Sequence, residues 1–286
     1  MAQGPEDLRR LINQYTPGNS LQSSTHGFQR VAIQVFGFLG HGKSSLINSC
    51  LCVVGDVEYE NVSGAGMTQG GLTTQRHEHE LTNTLVMIDN RGFSKLNPQE
   101  ILEACAQIRS LRDIGEVTWD IDNLNETLRQ FPLKYQNRPA DFILPVLVYS
   151  ASKPWNPSEG EDIQKFLSEA FKITGIHPIV AITKCTSENY NNLRQTFGEL
   201  GATKRLCLEN YTENDYTRTE EKDGKFLEFL HVCIQEAERG IRIRQNQDNQ
   251  TRYVIEAVKQ IQMETHLMRK ELKTQPAASK KRCSPS

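Results

Sequence analysis

The chain has 286 residues, with 33 lysines and arginines against 35 aspartates and glutamates and a formal net charge of −2. That length allows one large α/β domain with appendages or two small ones, and the near-neutral balance gives no bias toward nucleic acid or a membrane surface. No run reaches the roughly 18 apolar residues of a membrane span, and the polar start Met1-Ala2-Gln3-Gly4-Pro5-Glu6-Asp7 does not read as a signal segment, so a cytoplasmic protein is expected.

Residues 1–28 read as an N-terminal helix and linker. Leu8, Leu11, Ile12 and Tyr15 share one helical face suited to docking, and Pro17-Gly18-Asn19-Ser20 breaks the helix. The apolar run Val31-Ala32-Ile33-Gln34-Val35-Phe36 then enters Gly37-Phe38-Leu39-Gly40-His41-Gly42-Lys43-Ser44-Ser45, and a helical pattern opens at Leu46. A strand, a G-x-x-x-x-G-K-S loop and a helix in that order make the context of a phosphate-binding P-loop. Gly37 and Gly42 allow the backbone to turn consecutive N–H groups toward phosphate oxygens, and the helix adds its positive N-terminal end. Lys43 is expected to reach the outer phosphates as a flexible charge, and the Ser44 hydroxyl to ligate Mg²⁺.

A polar, glycine-rich stretch from Ser63 to Thr74 follows, unsuited to regular structure and placed where a nucleotide switch would hold a hydroxyl over the metal and the γ-phosphate. Thr74 is the chosen hydroxyl, ahead of Thr73. Gln75 to Leu81 reads as an edge strand. Leu85-Val86-Met87-Ile88 is a buried strand ending in Asp89-Asn90-Arg91-Gly92, a D-x-x-G in which Asp89 would hold a metal-bound water and the Gly92 N–H would sense the γ-phosphate. Phe93 occupies the position where Ras-like GTPases carry a water-orienting glutamine, and it has no polar atom for that task.

Asn97-Pro98-Gln99-Glu100 has the form of a capping box opening a helix toward Arg112, and residues 113–140 read as an insertion with partial helix. Phe142 to Tyr149 is a further strand, in which Pro145 suggests an edge position or a bulge. Glu159 to Ile173 is helical. Pro178 to Ile182 is another buried strand and leads into Thr183-Lys184-Cys185-Thr186, near the N/T-K-x-D pattern of guanine recognition, with Thr186 in the place of the aspartate. Leu206-Cys207-Leu208 leads into Glu209-Asn210-Tyr211, where Asn210 is a candidate for base contact. Together these elements predict a right-handed, mostly parallel α/β sheet covered on both faces, with its ligand at the C-terminal strand ends.

The C-terminal helix changes character near Gly240. Phe226, Phe229, Leu230, Cys233, Ile234 and Ala237 form a packing stripe, whereas Val254, Val258, Ile261, Thr265, Met268 and Leu272 form a short heptad seam that either folds back on the chain or meets a second copy or partner. The tail from Thr274 to Ser286 is disordered in composition, and Cys283 near its end sits where a lipid anchor would attach, although Ser284 and Pro285 do not suit a prenylation box. The cysteines at 50, 52, 105, 185, 207, 233 and 283 are read as reduced thiols, with 50, 105, 207 and 233 in core-like stretches and no pair of pairs at zinc spacing. The expected division is 1–28 helix and linker, 29–240 nucleotide-binding domain, 241–273 amphipathic helix and 274–286 basic tail.

Taken together, Gly37 to Ser45, Asp89 to Gly92 and Thr183-Lys184 resemble the GTPase class of P-loop proteins. The stretch Gly-His-Gly-Lys-Ser-Ser-Leu-Ile-Asn-Ser, the strand Arg-Pro-Ala-Asp-Phe-Ile-Leu and the end Glu-Asn-Tyr-Thr look like the interferon-induced protein 44-like family, related to septin-like and immunity-associated GTPases, over about residues 29–237. The resemblance implies GTP or GDP and Mg²⁺ as ligands. It assigns Gly37, Gly40, Gly42, Lys43, Ser44 and Ser45 to the phosphates, Thr74 and Asp89 to the metal, and Lys184 to the base, and His41 and Thr183 are further nucleotide-binding candidates. It also implies a cytosolic, defence-linked switch that can assemble through its nucleotide face. Lys43 and Thr74 would carry any catalysis. The departures at Thr186 and Phe93 bear on guanine preference and on hydrolysis, so a nucleotide-binding scaffold without turnover and an ATP-binding P-loop protein are the rival readings.

Overall fold

A computed structural model describes residues 4–20, 27–63, 75–111, 115–116 and 140–274. Seven strands form one sheet: β1 (Arg30–Gly37), β2 (Gln75–Glu80), β3 (Leu85–Asp89), β4 (Gly115–Glu116), β5 (Asp141–Ser150), β6 (Ile179–Thr183) and β7 (Lys204–Leu208), in the order β4-β2-β3-β1-β5-β6-β7. The pairings β3–β1, β1–β5, β5–β6 and β6–β7 are parallel, while β2 runs antiparallel to β3 and β4 antiparallel to β2. The expected α/β class with a mostly parallel sheet is therefore the observed one.

The central strands are apolar on both sides because helices cover both faces, as parallel sheets require. On one face, Phe36, Ile88, Leu147 and Ile182 meet α3 (Pro98–Ile108), α4 (Pro157–Thr174) and α5 (Tyr190–Glu199) through Ile101, Ile163, Phe166, Leu193 and Phe197. The other face packs against α2 (Lys43–Gly55) and the first part of α6 (Glu220–Thr274), so closely that a Cβ added at Gly240 would come 2.3 Å from Phe142 Cζ. The helix α1 (Pro5–Asn13) buries Leu8 and Ile12 as its apolar stripe predicts, and Arg9 Nε donates to Val53 O at 3.0 Å. Beyond it, Tyr15 Oη and the Gly18 N–H both donate to the Glu238 carboxylate, at 2.8 and 2.6 Å. Asn97 caps α3 in a full capping box with Glu100, as its sequence signature predicts.

Four readings need correction. The strand begun at Gln75 is not at the edge, since β2 lies between β4 and β3. Pro145 lies on an interior strand, not an edge: β5 sits between β1 and β6, and its ladder to β6 begins at Val146, one residue beyond the proline. The helix begun at Pro98 ends at Ile108. Cys105 and Cys207 are half-buried rather than in the core. The chain divides into two compact units, residues 1–242 and 243–286, and α6 is continuous through that boundary. The seam from Val254 to Leu272 lies where the backbone alone is described, and the tail with Cys283, Thr73, Thr74 and nearly all of the predicted insertion lie outside the described residues. Among the described residues, no helix is long and apolar enough to cross a membrane.

Candidate functional site

The loop joining β1 to α2 is held by groups that follow four different strands, all at their C-terminal ends. After β3, the Phe93 N–H donates to Gly37 O at 2.9 Å and Phe93 O accepts from the Leu39 N–H at 3.0 Å. At the end of β5 the Ser150 N–H donates to His41 Nδ1 at 3.2 Å, and at the end of β6 Thr183 Oγ1 donates to His41 O at 3.0 Å. Past β7, Asn210 Nδ2 donates to Gly42 O at 2.9 Å. The loop's carbonyls at Gly37, His41 and Gly42 are thereby engaged from outside, while the first-turn amides of α2 have no side-chain cap from Gly42.

Gly37 is required by space as well as by dihedral angle, and Gly42 by dihedral angle. Gly37 has φ +148°, and a Cβ there would lie 2.3 Å from Val148 O. Gly42 is left-handed at φ +91°, with a Cβ position 2.9 Å from Asn210 Nδ2. Gly40, at φ +73°, has open space around it.

Lys43 is only 7% exposed, and its Nζ donates to Phe38 O at 3.2 Å, back across the loop. Burial holds its pKa below the ordinary lysine value, and the Asp89 carboxylate partly offsets this. Gly92 lets the ammonium sit there, since a Cβ would come 2.9 Å from Nζ. Beside it, the Asp89 carboxylate, 1% exposed, accepts from Ser44 Oγ at 2.7 Å and from Ser63 Oγ at 2.8 Å, both on Oδ2. Its Oδ1 has no hydrogen-bond partner among the described residues. Asn48, one turn along α2 from Ser44, anchors the Ser63 segment by accepting from the Ser63 N–H at 2.8 Å. Ser45 contributes its carbonyl to Ser49 Oγ at 2.7 Å.

His41 is packed edge-on to Tyr149, with ring centroids 4.7 Å apart, and is also in contact with Phe38. Because Nδ1 accepts a hydrogen bond from a backbone N–H, the neutral ring carries its proton on Nε2. Burial, and then the charges of Lys43, Lys153 and Lys184, lower its pKa to about 4. The folded protein thus refuses a proton that the unfolded chain takes up near pH 6.5. Stability should be full above pH 6.5 and fall by about 3 kcal/mol as the pH drops through 4, most of it by pH 4.5. Urea midpoints at pH 7 and 4.5, compared between the wild type and His41→Gln, should show a smaller acid loss in the variant. An identical loss in both would remove His41 as the cause.

Of the predicted residues on the base side, Lys184 is exposed with a left-handed φ of 54°, and Thr186 is exposed. The Thr186 N–H donates to Glu209 Oε1 at 2.9 Å, which brings a carboxylate to the Thr183–Thr186 turn from β7. Asn210 points its amide at the loop, and its Oδ1 is buried without a partner among the described residues. Phe93 is not turned into the site: its ring is 2% exposed and packs between Phe36 and Phe166.

Lys43, Ser44, Asp89 and Gly92 are thus brought together, with His41, Thr183 and Asn210 supporting the loop. Sequence reasoning missed Ser63, Asn48 and Glu209. Only Asn48 left a signal, as a polar residue four positions after Ser44 on the same helical face. Among the described residues no group of three or more His, Cys, Asp or Glu could hold a metal ion. Compared with protein-family models and with curated proteins, the chain matches none.

Proposed function

We propose that the chain is a P-loop protein of the GTPase type, which binds a guanine nucleoside triphosphate with Mg²⁺ and acts as a slow or partner-dependent nucleotide switch. The observation that carries this reading is Asp89, a buried carboxylate that gathers two hydroxyls on one oxygen and leaves the other without a partner among the described residues. Buried polar atoms are rarely left so, and hard oxygen donors of this kind suit Mg²⁺. Ser44 and Asp89 would hold the ion, with Ser63 close by, and the bound ion would neutralise phosphate charge. Lys43, taken out of water beside the uncapped start of α2, suits an anion. The strand order, with β2 as an antiparallel neighbour of β3, and the location at C-terminal strand ends support the same reading.

Glu209 supplies the carboxylate that Thr186 lacks. A carboxylate accepting both guanine N–H donors favours guanine over adenine by about 1.5–3 kcal/mol, or roughly 10 to 150-fold. Competition binding of GTP and ATP with Mg²⁺ tests this: Glu209→Gln should lower the GTP preference at least tenfold, and Thr186→Ala should not. A wild type that binds neither nucleotide, with or without Mg²⁺, would overturn the proposal as a whole.

The burial of Phe93 favours a second reading, a scaffold that holds nucleotide without turnover. With that side chain in the core, position 93 offers no polar group to orient water. Single-turnover hydrolysis by the monomer and at rising protein concentration separates the two, since a switch that completes its site with a second copy accelerates with concentration.

A further inference from the structure

We propose that Cys207 and Cys185 form a peroxide-responsive dithiol pair, in which Cys207 is the attacking thiol and Cys185 resolves it into a disulfide that ties the Thr183–Thr186 turn to β7. β7 is the last strand of the sheet, and beside it lies a cavity of about 420 Å³ lined by Tyr190, Arg194, Arg205, Cys207, Lys222 and Lys225, among others. Cys207 is therefore reachable, in surroundings that mix four basic side chains with the carboxylates of Glu209, Glu221 and Glu228. In register, Cys207 is the partner of Ile182, and Cys185 folds back so that its Sγ donates to Ile182 O at 3.0 Å. That places both thiols beside Ile182, where the end of β6 meets β7.

The surroundings separate the two thiols chemically. Interaction with Cys185, with smaller help from Tyr190 and Lys225, holds Cys207 below the usual thiol range against the effects of burial and Glu209. Cys185 is held above it, chiefly by the same interaction. An accessible, thiolate-prone cysteine beside a second thiol is the arrangement of a redox-sensing pair. The Cys207 thiolate attacks one oxygen of hydrogen peroxide, the O–O bond breaks, and hydroxide leaves, giving a sulfenic acid. The Cys185 sulfur then attacks that sulfur, the S–O bond breaks, and water leaves with the proton. Two thiols lose two electrons in all, and the peroxide is reduced to two waters.

The pair stands independently of the nucleotide reading, although Lys184 and Thr186 flank Cys185 and belong to the base side proposed above. The full-length wild type, treated with hydrogen peroxide and digested without reduction, should give a cross-linked peptide joining Cys185 and Cys207 that has lost two hydrogens. In Cys185→Ser, dimedone should instead label Cys207. Before oxidation, iodoacetamide at pH 7 should alkylate Cys207 at least tenfold faster than Cys105, whose thiol is pushed up to about 11 by burial. Equal alkylation of Cys105 and Cys207, or peroxide treatment that leaves both Cys185 and Cys207 as free thiols, would overturn the proposal. A cross-link in a protein that binds no nucleotide would support the pair and count against the nucleotide site alone.

Discussion

Gly37→Ala is expected to prevent stable folding, whereas Gly40→Ala three residues later should be tolerated. Both glycines have positive φ, but +73° at Gly40 is close to the left-handed region other residues can enter, whereas +148° at Gly37 is essentially open to glycine alone. The larger difference lies in what the new methyl group meets. At Gly37 it would lie 2.3 Å from the carbonyl oxygen of Val148 and 3.2 Å from its carbon, on the neighbouring strand β5. Backbone cannot rotate away as a side-chain end can, so the β1–β5 pairing through Gly37↔Val148 would have to open. That pairing lies at the centre of the sheet, next to the Gly37 O contact that holds Phe93. Strain of this kind belongs with the largest single-residue effects, above about 4 kcal/mol, against a typical total of 5–15 kcal/mol. At Gly40 nothing lies within 4 Å, which leaves only the left-handed backbone penalty of about 1–2 kcal/mol. Urea unfolding followed by circular dichroism checks the pair, and a Gly37→Ala protein as stable as the wild type would mean that β1 and β5 are not packed as described.

Local patterns made much of this arrangement legible. Strands β1, β3, β5 and β6 each announce themselves as apolar runs, because both faces of a parallel strand are covered. Their order along the chain with intervening helices fixes the class. Asp89 could be read as a site residue because it ends such a run at the edge of a D-x-x-G. Side chains that reach the site from loops could not be placed. Ser63 meets Asp89 across 26 positions, and Glu209 meets Thr186 across 23, and neither spacing has a periodicity to betray it. Pro145 misled for a related reason: a missing donor points to an edge only when both neighbours need it, and where the neighbouring ladder starts is not written locally. Phe93 shows the limit of motif position, since the residue that follows Gly92 in sequence turns into the core between Phe36 and Phe166.

The site and the core make opposite demands on Lys43, and Lys43→Met should expose them. The side chain is almost fully buried and its pKa is depressed, chiefly by desolvation, so the ammonium costs the ligand-free protein stability that an apolar side chain of similar volume would not. Its hydrogen bond to Phe38 O does little to offset this, because that carbonyl also accepts from the His41 N–H at 3.3 Å and keeps a partner when the lysine is gone. The variant is therefore expected to unfold at the same urea concentration as the wild type or a higher one. Its affinity for a nucleoside triphosphate with Mg²⁺ should meanwhile fall by roughly 10 to 150-fold, the equivalent of one lost charge-assisted contact of about 1.5–3 kcal/mol. Isothermal titration with a slowly hydrolysed GTP analogue, run beside the urea series, measures both. Unchanged affinity would remove Lys43 from the phosphates. A fall in stability of more than about 2 kcal/mol would make the lysine a structural element of the loop, held by Phe38 O, rather than a group kept ready for an anion.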